Sequence, residues 1–220
     1  LTKILLIIGL GFSLLTGGYL FYLAKTTNVK DLQSALKATT IIYDKNGDQA
    51  GSLTGQKGTY VELDVISENL QNAVIATEDR SFYKNSGINY GRFFLAILTL
   101  GRSGGGSTIT QQLAKNAYLS QDQTVERKAK EFFLALEINK KYSKKEILTM
   151  YLNNAYFGNG VWGIEDASKK YFGVSASQLS LDQSAVLAGM LKGPEIYNPL
   201  YSVENATNRR NTVLQNMVAA

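Results

Sequence analysis

A run of twenty-one residues without a charged side chain, Ile4 to Ala24, is the strongest constraint on what this chain can become. At about 1.5 Å of rise per residue it makes a helix about 30 Å long, the thickness of a bilayer's hydrocarbon core. Lys3 precedes the run as it would in a cleaved signal peptide, but such a peptide has an apolar region of only about 7 to 15 residues, and no A-x-A site follows here. The expectation is an uncleaved transmembrane helix over residues 1–25. Lys3 and Lys25 flank it almost evenly, so the positive-inside rule leaves its orientation open.

The rest of the 220 residues suffices for one mid-sized domain, since a single core serves roughly 100 to 200 residues. There is no cysteine, which excludes disulfides and thiolate chemistry. The absence of histidine removes the usual neutral-pH base and the commonest metal ligand, so proton transfer falls to carboxylates or amines. A net charge of +5 favours an anionic partner: nucleic acid, membrane lipid headgroups or a phosphorylated substrate. No zinc-finger, RNP or basic-region pattern appears, and nucleic acid is not expected.

Residues 26–66 read as a linker and β-hairpin region. Thr39 to Tyr43 and Ala50 to Leu53 are extended runs, joined by the turn chemistry of Asp44-Lys45-Asn46-Gly47. From Ser67 the periodicity is helical, with Leu70, Ala73, Val74 and Thr77 on one side and Glu78-Asp79 at the end. A second helix over Tyr90 to Leu100 leads into a mobile glycine-rich loop, Ser103 to Gly106. Ser107 or Thr108 then caps a helix carrying Gln111, Gln112 and Lys115. Thr124 opens another, in which Val125, Ala129, Phe132, Phe133 and Leu136 form the apolar stripe, with Arg127, Lys128, Lys130 and Glu131 opposite. Capping boxes at Ser143/Glu146 and Ser180/Gln183 mark two more. The last helix, with Arg209, Val213 and Met217, is still periodic at Ala220, and more protein is expected to follow. The domain over residues 67–220 is expected to be mainly α.

Single pieces carry little chemistry. Adjacent carboxylates such as Glu78-Asp79 are most often solvated. Gly105-Gly106-Ser107-Thr108 entering a helix looks like an anion site, although it lacks the Gly-Lys-Ser/Thr of a phosphate-binding Walker loop. Gln111 and Lys115 lie one helical turn apart. Arg127, Lys128 and Lys130 around Glu131 suit a diphosphate, although a Glu four residues from an Arg is a common surface pair. Gly158-Asn159-Gly160, Trp162-Gly163 and Tyr171-Phe172-Gly173 read as turns and aromatic core.

Their order is more specific. Glu78-Asp79-x-x-Phe82, then Gly106-Ser107-Thr108-Ile109-Thr110-Gln111-Gln112, then Arg127-Lys128-x-x-Glu131 resemble the first three of the five motifs of the peptidoglycan glycosyltransferase family. Lys144-x-x-Ile147-Leu148-x-x-Tyr151-Leu152-Asn153 and the stretch from Gly163 to Tyr171-Phe172-Gly173 resemble the other two. This is glycosyltransferase family 51, found in class A penicillin-binding proteins and monofunctional glycosyltransferases, and the resemblance runs from Thr39 to Ala220. Three positions depart from the family pattern: Asn85 stands for His, Asn89 for Asp and Gln123 for Arg.

The resemblance implies a lysozyme-like helical domain on the extracytoplasmic face of the cell membrane, held by a single pass and working among cell-wall synthesis proteins. It implies polymerisation of lipid II into β-1,4-linked glycan, with inversion and release of undecaprenyl diphosphate. The growing strand is the donor, and the 4-hydroxyl of a new lipid II is the acceptor. Carried over residue by residue, Glu78 is the general base and Glu131 the second catalytic carboxylate. Asp79, Ser107, Thr108, Gln111, Gln112, Lys115, Arg127, Lys128, Lys130 and Asn153 bind substrate. Asp79 also holds backbone or Arg80 in place, and Glu131 orients the cations or helps hold Mg or Mn with the diphosphate. Phe93 to Leu100 would dip into the membrane surface. Two other readings are a lysozyme-like peptidoglycan hydrolase, which has no need of these cations, and a non-catalytic scaffold, which has no need of Glu78 and Glu131.

Overall fold

The computed structural model describes residues 17–19, 21–23, 26, 29, 39–54, 58–98, 106–119 and 124–220. Most of the Ile4 to Ala24 run lies outside the described residues, as do Thr99, Leu100, Gln123 and all of the glycine-rich loop before Gly106. Among the described residues no helix is long and apolar enough to cross a membrane.

Strands β1 (Thr39–Tyr43) and β2 (Gln49–Thr54) pair antiparallel, with Thr39 opposite Thr54 and a register shift between Ile42 and Tyr43. The Asp44 carboxylate accepts the backbone N–H of Asn46 at 2.8 Å and of Asp48 at 2.9 Å. Gly47 takes φ +89°, where a side chain would be strained.

The domain is mainly helical: α1 (Glu68–Glu78), α2 (Tyr90–Leu98), α3 (Ile109–Tyr118), α4 (Val125–Lys141), α5 (Lys144–Asn154), α6 (Ile164–Phe172), α7 (Leu181–Met190) and α8 (Val203–Val218). Thr108, Ser143 and Ser180 each close a capping box, with Gln111, Glu146 and Gln183 returning the bond. Each such cap is worth about 1 kcal/mol. Helix α5 is buried without interruption from Ile147 to Asn153 and forms the centre of the core. Helix α7 packs against both α1 and α8, and small residues permit the close approach. A Cβ on Gly189 would stand 2.9 Å from Arg209 Cγ, so glycine is what lets Arg209 cross α7 there.

Two sequence expectations change here. The buried face of α4 is Glu131, Leu134, Ala135 and Ile138, whereas Val125 at the head of the expected stripe is 90% exposed. Phe132 and Phe133 still pack, but sideways: Phe132 meets Phe93 at 5.0 Å and Tyr90 at 6.4 Å between ring centroids. The helix is thus rotated so that a carboxylate faces the core. Asn153, expected to bind substrate, is fully buried instead, because its amide clasps the incoming chain. It donates to the Val61 and Thr149 carbonyls at 2.8 Å and accepts the Val61 N–H at 2.9 Å. Asn153→Ala is therefore expected to cost about 2 kcal/mol by stranding these groups. A melting midpoint equal to that of the parent would refute this structural role.

Candidate active site

Helix α1 ends by splitting the Glu78-Asp79 pair. Asp79 leaves helical geometry at φ −156°, ψ 79° while its N–H still bonds Ile75 O at 3.0 Å. The break turns Asp79 inward to 2% exposure and leaves Glu78 facing a cleft.

Asp79 is held by the chain itself. Its carboxylate accepts from Ser81 Oγ at 3.0 Å, from Asn85 Nδ2 at 2.9 and 3.1 Å, and from the N–H of Ile109 at 3.4 Å. Ile109 opens α3, so an internal carboxylate sits at the helix end expected to take a substrate anion. Thr108 is likewise engaged: its hydroxyl caps Gln111 N–H and donates to Gly87 O at 2.6 Å, while Gln111 Oε1 accepts the Thr108 N–H at 3.1 Å. Gly87 has φ +92°, and a Cβ there would lie 2.6 Å from the Ala135 carbonyl. Asp79, Thr108 and Gln111 therefore build the site without lining the cleft.

Of the two partners expected for Asp79, backbone and Arg80, it takes the backbone, while Arg80 turns away to Ala76 O at 3.1 Å and to Asn216 Oδ1 at 3.1 Å. Two departures from the family pattern gain a role in its place. Asn85 bridges Asp79 to Lys144, whose Nζ donates to Asn85 Oδ1 at 3.0 Å. Burial lowers the Lys144 pKa, and the nearby Asp79 charge partly opposes this. Asn89 donates to Ser81 Oγ at 3.1 Å and accepts the Arg92 N–H at 3.1 Å, tying down the same turn.

Glu78 Oε2 accepts Gln112 Nε2 at 2.8 Å, and Gln112 Oε1 in turn accepts the Tyr151 hydroxyl at 2.9 Å. On the other side, Arg209 Nη2 stands 4.0 Å from Glu78 Oε1. The cleft around it holds about 270 Å³ and is lined also by Thr77, Arg92, Ser107, Lys192 and Asn216. An adjoining cleft of about 400 Å³ shares Gln112 and Lys192 with it and adds Lys115, Asn116, Tyr151, Tyr156 and Trp162. The Tyr156 and Trp162 rings meet at 4.9 Å between centroids, tilted by 43°.

Glu131 is 2% exposed, with both oxygens engaged. Arg127 Nη1 meets Oε2 at 2.7 Å, Lys128 Nζ bonds Oε1, and Gln111 Nε2 approaches Oε1 at 3.4 Å. Lys128 also donates to Ser107 Oγ at 2.7 Å and so reaches the cleft wall. Lys130 does not join them; it pairs with Glu126 at 2.7 Å on the outer face. Two cations rather than three surround Glu131, and its carboxylate lies buried behind the cleft. It does not fit a divalent ion, since Arg127 and Lys128 occupy its oxygens and would repel one. Among the described residues, no cluster of three acidic side chains offers another cation site.

Sequence reasoning missed Arg92, Lys192, Arg209 and Asn216 as cleft residues, and quoted Tyr151 without giving it a role. Local pattern carries no signal for them. Arg209 reaches Glu78 only because α8 packs on α1 and α7, a contact between residues more than 100 positions apart.

A family profile described as Transglycosylase matches residues 46–218. Penicillin-binding protein 2a of Streptococcus pneumoniae serotype 2 (strain D39) is 80% identical over 220 residues, which is 100% of this chain and 30% of that protein. Penicillin-binding protein 1A of Aquifex aeolicus is 45% identical over 181 residues, covering 80% of this chain and 25% of its own. A crystal structure of penicillin-binding protein 1A from Haemophilus influenzae aligns with 83% of this chain and 18% of its own, at 25% identity and a TM-score of 0.42, a loose likeness. The chain spans less than a third of the length of the curated relatives it matches. With a match that runs from the hairpin turn to the last residue of α8, the chain belongs to the transglycosylase family, that of the peptidoglycan glycosyltransferases.

Proposed function

We propose that this domain polymerises lipid II into β-1,4-linked glycan with inversion, Glu78 acting as general base. The observation that carries this reading is the Glu78 carboxylate, one oxygen pinned by Gln112 and the other open to a cleft bearing Arg92, Lys192 and Arg209. Glu78 Oε1 takes the proton of the acceptor's 4-hydroxyl as that oxygen attacks the anomeric carbon from the face opposite the diphosphate. The bond to the diphosphate breaks, and its oxygens leave with the electron pair. Cations aimed at that developing charge lower the barrier, and in this reading they are Lys115 and Lys192 of the cleft lining and Lys128 beside Ser107. Mg or Mn would arrive bound to the diphosphate rather than to Glu131. Tyr156 and Trp162 give the adjoining cleft an aromatic wall against which the apolar face of a sugar can lie.

The domain is then a lysozyme-like fold tethered by the Ile4 to Ala24 run and working at the outer face of the cell membrane beside other cell-wall synthesis proteins. In this reading α2, where Leu95 is 49% exposed, lies at the bilayer surface. The cations around both clefts favour transfer over a hydrolase reading, because glycoside hydrolysis by two carboxylates does not call for them. Incubation with purified lipid II, resolved by gel, is expected to give a ladder of glycan polymer. Cleavage of supplied polymer without synthesis would overturn the proposal in favour of a hydrolase.

A further inference from the structure

Tyr151 sits within α5 at 2% exposure, one hydrogen bond from Gln112 and two from the proposed base. A glutamine amide can face either way, and the two ends of this chain decide which. An ionised carboxylate only accepts, so the Gln112 NH2 must face Glu78. Its oxygen then faces Tyr151, which must donate. Burial, reinforced by the Glu78 charge, holds the Tyr151 pKa well above 10.0, and the phenol keeps the proton it donates.

We propose that Tyr151 is a positioning residue for glycosyl transfer: acting through Gln112, it pins Glu78 Oε2 and leaves Oε1 as the oxygen that receives the acceptor's proton. This rests on the proposed role of Glu78 as base. The proton moves from the sugar hydroxyl to Oε1, and neither Gln112 nor Tyr151 gains or loses one. The other charged groups at Glu78 are Arg209 from α8, 4.0 Å from Oε1, with Arg92 of α2 and Lys192, just beyond α7, in the same cleft. The hydrogen bond that holds Oε2 is the one from Gln112, so the pin depends on that amide.

Without the phenol hydroxyl, the Gln112 amide keeps its NH2 toward the carboxylate but is held at that end alone, so it can swing and carry Glu78 with it. Tyr151→Phe is expected to lower kcat about 10- to 100-fold, the scale of an ångström's misplacement of a catalytic group, with KM within about twofold. Gln112→Ala removes the same pin and should lower kcat similarly. Because both changes act on one linkage, the double variant should be no slower than Gln112→Ala alone by more than about twofold. The experiment measures kcat, KM and melting midpoint on lipid II for both single variants, the double variant and Glu78→Gln. Multiplying losses in the double variant, or a parental kcat in Tyr151→Phe with Glu78→Gln inactive, overturns the relay and leaves the base assignment standing. An active Glu78→Gln overturns the base assignment itself.

Discussion

Glu78→Gln is expected to abolish polymer synthesis, with a loss of about 10²- to 10⁴-fold, the range supplied by a positioned general base. The amide is isosteric with the carboxylate, and its oxygen can still accept Gln112 Nε2 at the 2.8 Å contact, so the fold should be kept. What it cannot do is take a proton at the open position. Binding of lipid II should survive, because the groups proposed to hold the diphosphate, Lys115, Lys128 and Lys192, are untouched. Removing a negative charge from a cleft that also holds Arg92 and Arg209 should hold an anionic substrate at least as tightly. Gel-resolved synthesis, with binding followed by fluorescence of labelled lipid II, separates the two effects. Retained polymer, or lost binding with a normal melting midpoint, would remove Glu78 from the base role.

What was legible in the sequence was local. Helix starts could be read because Ser143 and Ser180 announce themselves with a partner three residues on, whereas the choice between Ser107 and Thr108 fell to Thr108 only in the structure. The hairpin turn could be read because Asp44 and Gly47 have few other uses. Site residues were legible as a set but not by task. Of the residues in the second motif, Gln112 and Ser107 reach the cleft, while Thr108 and Gln111 close the helix start beneath it. One-dimensional pattern cannot separate these, because adjacent helical positions differ by about 100° in direction and only packing decides which direction is inward. For α4 the apolar count pointed to Val125 and Phe132, and the core took Glu131 instead. A carboxylate saturated by Arg127, Lys128 and Gln111 costs far less to bury than a bare one, and hydrophobic periodicity has no term for that pairing. Arg209 and Lys192 come from the far end of the chain, where no spacing rule links them to Glu78.

Glu131→Ala should be the most damaging change to the fold among the site residues. Removing one partner of a buried ion pair typically costs about 3–5 kcal/mol, since the charge left behind stays desolvated. Here the cost falls unevenly. Lys128 is 40% exposed and can turn to water, whereas Arg127, 15% exposed, loses its 2.7 Å contact where little water can reach it, and Gln111 loses an acceptor. The lower end, about 3 kcal/mol, is expected, which lowers the melting midpoint by about 6–12 °C for a domain of this size. Activity should fall further than unfolding explains, because Lys128 would leave Ser107 and the cleft wall lose its ordered cation. Lys130→Ala is the control. Its partner Glu126 is on the outer face, so neither melting nor synthesis should change. A strong synthesis defect in Lys130→Ala would mean that the diphosphate is held from the outer face of α4 rather than from the Lys128 side, and a Glu131→Ala domain that melts like its parent would overturn the structural role of the buried carboxylate.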